Sequence, residues 1–326
     1  MYVGDAVTIK LLITGPFDSP IAPAMLTPAE FAAVLAEHDI SVVSDAAKAD
    51  LELCGWLWHQ LGCMHLPRNR VIVVDGEPPQ PEYLLPHYTE RGFAAIVTPV
   101  SGAYAADCMA FYEPPPTTRP RPSWRYGRVV QLATYRTRPG PIRVSVNGAA
   151  PAQYRVLCDL RVKVGLALHQ LLPGMVDLYG RGWPPGVVVG NDRGRPDFLS
   201  SRHHISAKYA FDLCWENTEI HGYVSEKFWS PVRVGTLPVY WGPENFCLPP
   251  NTIVDCRSYL RSDGATFDVV QLAYDVTHMD HAEYCRRVST LLDWYYALPT
   301  DSHRQSVTKA AHHLANVIKE AVTCRD

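Results

Sequence analysis

The stretch WENTEIHGYVSEKFW places Glu216, Asn217, Tyr223, Ser225, Glu226 and Lys227 directly after the apolar run YAFDLC. An apolar run of that length reads as a buried strand. Polar groups beside a core are costly unless something satisfies them. Ser225 followed by Glu226 and Lys227 reads as an N-cap and the first turn of a helix. A lysine beside the free N–H groups of a helix start is suited to phosphate. Glu226 cannot help a phosphate and is better suited to sugar or ribose hydroxyls. The plainer reading is a capping serine with a solvated Glu–Lys pair, and composition alone leaves that reading ahead.

The elements that must hold these residues are legible along the chain. With 326 residues the chain is long for one core and comfortable for two domains. Hydrophobic residues make up 47% and charged residues 19%, and the net charge is -3. This is an ordinary globular balance that excludes a general polyanion binder, so no nucleic-acid partner is expected. Nine cysteines without C-x-x-C spacing argue against a zinc module and a disulfide framework, and favour a reducing compartment. Neither a signal peptide nor a long apolar span is evident, so the expectation is a soluble, cytoplasmic-type chain without an integral membrane segment.

Short apolar runs (VTIKLLITG, ISVVSD, ADLELCGWL, RVIVVDGE, FAAIVTPV) alternate with helical segments such as TPAEFAAVLAEHD, which Thr27 and Pro28 open. That alternation predicts parallel sheet covered on both faces. The proline-rich segment from Tyr112 to Gly127 reads as a stiff surface connector. Its other reading is the rim of a binding cleft using Trp124 and Tyr126. The second half restarts at PIRVSVNG, with a long helix from about Tyr154 to Leu172 and the strand GMVDLYGRG. The expected domains are 1–145, 146–300, and a terminal helix at 301–326 packing on them. In an open parallel sheet, ligands bind outside the carboxyl ends of the strands, and the segment from Phe211 to Trp229 fits that place.

WENTEIHGYVSEKFW and the following VGTLPVYWGPENFCLPPNTIVD resemble the donor-binding signature of the α-1,3-fucosyltransferases. VDLYGRG and EYCRRVSTLLDW resemble the flanking segments of that family. The resemblance implies an α/β fold of the GT-B type, with two facing Rossmann-like domains and a cleft between them. It implies GDP-fucose on the C-terminal domain, a glycan or glycoconjugate acceptor on the N-terminal one, and an inverting transfer with α-1,3 linkage to a GlcNAc- or glucose-type sugar. Carried over by residue, Lys227 would neutralise the diphosphate and Glu226 would hydrogen-bond ribose or fucose hydroxyls. Tyr223 and Asn217 would line the donor pocket, and Glu216 would orient these groups from behind. An arginine at the start of the preceding helix would reach the phosphates, with Arg161 preferred over Arg155. Glu77, in VIVVDGEPPQPEY, would be the base that takes the acceptor proton; Asp75 and Glu82 lie close by. No metal or other cofactor is required, because lysine, arginine and helix dipoles can stabilise the leaving diphosphate.

Thr218 and His221-Gly222 depart from the family pattern, and Pro231 is expected to break the helix that Ser225 caps. His203-His204, His278, His281 and His312-His313 lack ligand-spaced partners for a metal. Trp215, Trp229 and Trp241 read as core, Trp241 with a sugar platform as its alternative. Two rivals remain: a transferase using another nucleotide sugar, and a silent glycan- or nucleotide-binding relative. Acceptor specificity would lie around Trp56–His65 and Tyr83–Tyr88, where no family motif carries over.

Overall fold

Short segments of two to six residues, most of them apolar and too short to bury a helix face, pair here as parallel strands. The computed structural model describes residues 8–14, 26–55, 62–74, 93–97, 113–124, 127–135, 141–144, 152–191, 198–219, 223–244, 246–262, 266–298 and 300–323. The chain divides into two units. One comprises Met1–Ala110, Ile142–Tyr154 and Thr300–Asp326, the other Phe111–Pro141 and Arg155–Pro299.

In the first unit, β1 (Ile9–Thr14), β2 (Ile40–Val43), β3 (Leu51–Gly55), β4 (Val71–Val74) and β5 (Ala95–Val97) form a parallel sheet ordered β2-β1-β3-β4-β5. All four residues of β4 are buried, as expected of a strand covered on both faces. Helix α1 (Pro28–Ala36) starts where the sequence predicts. Thr27 Oγ1 accepts from the Glu30 N–H at 3.2 Å, and Glu30 Oε2 accepts from the Thr27 N–H at 2.7 Å. Phe31, Val34 and Leu35 face the core. The C-terminal helix, Thr300–Thr323, lies against α1, where His38 Nε2 and His312 Nδ1 are 2.9 Å apart.

In chain order, β6 (Val129–Leu132) of the second unit is followed by β7 (Pro141–Val144) and β8 (Ala152–Val156), which fall largely in the first unit, and then by α2 (Cys158–Leu171) of the second. Then follow β9 (Val176–Tyr179), β10 (Val188–Gly190), α3 (Phe198–Ser206), β11 (Phe211–Leu213), β12 (Thr218–Glu219), α4 (Glu226–Arg233), β13 (Leu237–Tyr240), β14 (Val254–Asp255), α5 (Val269–His278) and α6 (His281–Ala297). The parallel sheet runs β10-β9-β6-β11-β13-β14. Counted by their own sequence, these strands stand in the doubly wound order 3-2-1-4-5-6. The order reverses between β6 and β11, so the ligand crevice of such a sheet falls at their carboxyl ends.

This arrangement differs from a single boundary near residue 145. Strand β6, which no signal in the sequence singled out, is the first strand of the second sheet and brings residues 111–141 with it. Its residues Val129, Val130 and Leu132 are buried between β9 and β11. The C-terminal helix falls in the first unit.

Residues 113–124 of the proline-rich segment are docked on the second unit rather than running free over its surface, and Tyr126 lies outside the described residues. Glu113, nearly buried, accepts from Ser230 Oγ at 2.8 Å and pairs with His203 Nε2 at 2.5 Å. The carbonyls of Glu113, Pro114 and Pro116 take donors from Tyr295, Arg233 and Tyr296. Trp124 packs edge-on to Phe211 and Tyr284. Prolines lack N–H groups and cannot join a ladder, so side chains of α4 and α6 satisfy the carbonyls instead. The segment is a strap bound to those helices.

One close approach positions α2. Gln131, fully buried in β6, donates from Nε2 to the Arg161 carbonyl at 3.1 Å. It lies over Gly165, where an added Cβ would sit 1.8 Å from Gln131 Oε1. Gly165→Ala should therefore cost about 1–3 kcal/mol by overpacking. The check is thermal unfolding, which should show a Tm lower by several degrees; an unchanged Tm would mean that Gln131 can swing away without cost.

Candidate functional site

Strand β11 delivers the tripeptide Trp215–Glu216–Asn217 to its carboxyl end, and the turn is held from three sides. Glu216 N donates to the Trp241 carbonyl at 2.9 Å, after β13. The Asn217 carbonyl accepts from Leu157 N at 2.9 Å, ahead of α2. Arg161, in the first turn of α2, donates from one guanidinium nitrogen to the Trp215 carbonyl at 2.9 Å and to Asn217 Oδ1 at 3.1 Å. Arg161 is buried, so this charge reinforces the turn from beneath. The next two residues, Thr218 and Glu219, pair antiparallel with Val156 and Arg155 of β8.

Glu216 is completely buried, yet its oxygens are well supplied. Oε1 accepts from Ser225 N at 2.8 Å and from the Tyr240 hydroxyl at 3.2 Å, and Oε2 accepts from Ser225 Oγ at 2.6 Å. Ser225 caps α4, taking the Lys227 N–H at 3.3 Å and also the Lys227 ammonium at 2.8 Å. That ammonium lies 3.6 Å from Glu216 Oε2 and 3.5 Å from Glu226 Oε1. A lysine with a buried side chain is thus fixed at a helix N-terminus by a serine and two carboxylates, so that an anion would meet both its ammonium and the positive end of the helix dipole. Tyr223, also buried, enters two residues before the cap.

Burial pushes the Glu216 carboxyl above the usual range, and Lys227 and the Ser225 hydrogen bonds oppose that shift. Burial and the nearby Glu216 carboxylate raise the Tyr240 hydroxyl well above its ordinary value, so it stays a donor.

The structure therefore gathers Arg161, Glu216, Asn217, Ser225, Glu226 and Lys227 around one turn and one helix start. It gives Arg161 a holding contact with the turn. Arg155 contributes backbone pairing in β8, and its side chain lies outside the described residues. Glu77 also lies outside them, as do most of the segments expected to carry acceptor specificity. Helix α4 is continuous through Pro231, contrary to the expected break. The missing N–H would have reached the Lys227 carbonyl, one turn back. Tertiary packing of Phe228, Trp229 and Val232, all buried, carries this short helix instead. Trp215, Trp229 and Trp241 are fully buried, which assigns Trp241 to the core. His203 pairs with Glu113, His278 stacks on Tyr274, and His281 packs on Trp124. Sequence reasoning missed Gln131 and Tyr240. Their one signal is a polar or hydroxyl-bearing residue within an otherwise apolar strand.

Comparison with known sequences bears on this site. Residues 159–311 match the model of the glycosyltransferase family 10 (fucosyltransferase) C-terminal region, a span containing all of the gathered side chains. These residues carry the likeness to glycosyltransferase family 10. Among curated relatives, GDP-fucose protein O-fucosyltransferase 3 of Xenopus tropicalis is 46% identical over 46 residues, 14% of this chain and 10% of that protein. The human protein of the same name is 41% identical over 51 residues, 15% of this chain and 11% of that one. The α-(1,3)-fucosyltransferase of Helicobacter pylori is 29% identical over 101 residues, 30% and 20% of the two chains. The matched stretches thus span a tenth to a fifth of these relatives. A solved α1,3-fucosyltransferase with GDP-fucose aligns with a TM-score of 0.45 at 15% identity, covering 98% of this chain and 93% of that one. Among the described residues no helix is long and apolar enough to cross a membrane.

The burial of Glu216 has a consequence in stability. Its folded carboxyl holds a proton more tightly than the unfolded chain does. The stability this adds is complete below the ordinary glutamate value and is lost as pH rises through the raised folded value. Tm measured from about pH 4 to about pH 7 should therefore decline less steeply in Glu216→Gln than in the parent. Parallel curves would show that Glu216 titrates as an ordinary carboxyl.

Proposed function

We propose that this protein transfers L-fucose from GDP-β-L-fucose to a hydroxyl of a glycan acceptor, with inversion at the anomeric carbon. The observation that carries the proposal is the fixed Lys227 ammonium, held at the start of α4 beside the turn that follows β11. That place is the switch point of a doubly wound sheet, where nucleotide ligands bind. The diphosphate would lie against Lys227 and the N-terminus of α4, with Arg161 shifting toward it from the turn. Glu226 would take ribose or fucose hydroxyls, and Asn217 and Tyr223 would complete the pocket. The two parallel sheets would serve as the acceptor and donor domains of a GT-B enzyme.

In the proposed step the acceptor oxygen attacks C1 of fucose from the face opposite the leaving group. The C1–O bond to GDP breaks, and the acceptor proton passes to Glu77. GDP departs with its new charge neutralised by Lys227 and Arg161. Two cations and a helix terminus supply the stabilisation that a divalent metal provides elsewhere, so the proposal needs no metal and turnover should survive EDTA. An α-1,3 linkage to a GlcNAc- or glucose-type sugar is the first acceptor to test. The likeness to protein O-fucosyltransferase 3 favours a second acceptor class, the hydroxyl of a protein side chain.

Calorimetric titration with GDP, GDP-fucose, GDP-mannose and UDP-galactose tests the donor. Binding of GDP and GDP-fucose is expected, weakened about a hundredfold or more in Lys227→Ala, the cost of removing one member of a buried charge contact. If neither guanine ligand binds the parent protein, the fucosyl-transfer proposal fails.

A further inference from the structure

We propose that the second unit carries a separate carbohydrate-binding site, for a neutral oligosaccharide, beside its edge strand β14. A cavity of about 790 Å³ opens there among the segment leading into β14, the turn at Cys256–Tyr259, and helices α5 and α6. Its volume lies in the range of small-molecule sites, about 300–1,000 Å³. None of its lining residues comes from the 215–217 turn or from α4, so it is not the donor site.

Two features select the ligand. The first is a flat aromatic surface. Tyr274 is 55% exposed, and its ring stacks on that of His278 with centroids 3.9 Å apart and 16° between planes. The two residues are one helical turn apart, so His278 backs the Tyr274 ring and the outer face of the stacked pair is what a ligand can cover. Large aromatics left in water at the mouth of a cavity are costly unless a partner covers them. The C–H face of a pyranose is such a partner.

The second feature is a wall in which two guanidiniums and three carboxylates are already partnered. Arg257 makes two bonds to Asp255, at 3.0 and 2.9 Å. Arg287 bonds Glu283 at 2.7 Å, and Asp275 accepts the Tyr259 hydroxyl at 2.7 Å. A phosphate entering here would meet Asp255, Asp275 and Glu283, and an ammonium would meet Arg257 and Arg287. Hydroxyl groups meet neither obstacle, because each can donate to a carboxylate and accept from a guanidinium. The combination of an aromatic face with paired donors and acceptors therefore fits an uncharged polyol with alternating apolar and hydroxyl surfaces.

This inference extends the transferase reading, and rests on it for one point: a glycan held at β14 would keep its carrier on the enzyme between encounters with the donor site. The binding itself stands apart from the reaction. The test uses the full chain with chitotriose, N-acetyllactosamine, mannotriose and inorganic phosphate, followed by saturation-transfer NMR and calorimetry. At least one oligosaccharide should bind. Tyr274→Ala and Arg257→Ala should each weaken it tenfold or more, Tyr274→Phe should retain it, and GDP affinity should be unchanged in all three variants. The proposal is overturned if no oligosaccharide binds, if binding ignores both alanine variants, or if phosphate binds in a manner that Arg257→Ala abolishes. Loss of GDP binding in the parent protein would instead strike the donor assignment and leave this site standing.

Discussion

A buried carboxylate is the constraint on which the donor-side architecture depends. Glu216 sits at the end of β11, and its oxygens take donors from Ser225 at the head of α4 and from Tyr240 in β13. Removing such a group from water is costly, and the cost is met when its lone pairs are filled. The consequence is mutual placement. Ser225 can cap α4 and hold the Lys227 ammonium because Glu216 holds Ser225. A helix start, a lysine and a strand end are thereby fixed together by one side chain.

The sheet supplies the second half of that placement. With β6 at its centre, the doubly wound order reverses beside β11 and leaves an opening at their carboxyl ends. Gln131 of β6 reaches from the same strand to the backbone of α2, and Gly165 leaves room for it. Arg161 then bridges from α2 to the 215–217 turn. The two basic residues of the site thus approach the turn from different helices, each supported by a different strand.

Local chemistry explains what could be read in the sequence. The Ser225 cap, the Thr27–Glu30 box and the apolar strands are set by residues a few positions apart, and each forms where the pattern indicates. The grouping of Glu216, Asn217, Glu226 and Lys227 was legible for the same reason. What escaped depends on distant partners. Strand β6 is a tetrapeptide whose neighbours β9 and β11 lie far along the chain, so nothing nearby marks the unit to which it belongs. Glu113 lies in a segment that read as a surface connector, and its partner Ser230 is 117 positions away. Pro231 misled in the opposite direction, since a local rule about helix interiors gave way to aromatic packing around Phe228 and Trp229. The placement of Arg161 required knowing where the 215–217 turn would lie.

The strap at residues 113–124 adds a brace of an unusual thermodynamic kind. Proline enters the folded state with φ already restricted, so its docking forfeits less chain freedom than that of an ordinary loop. Its anchors fall on Ser230 and Arg233 of α4 and on Asp293, Tyr295 and Tyr296 of α6. A pre-stiffened cord stitched across two helices resists their sliding past each other. The lysine-bearing helix is thereby held in register by a segment that carries no chemistry of its own.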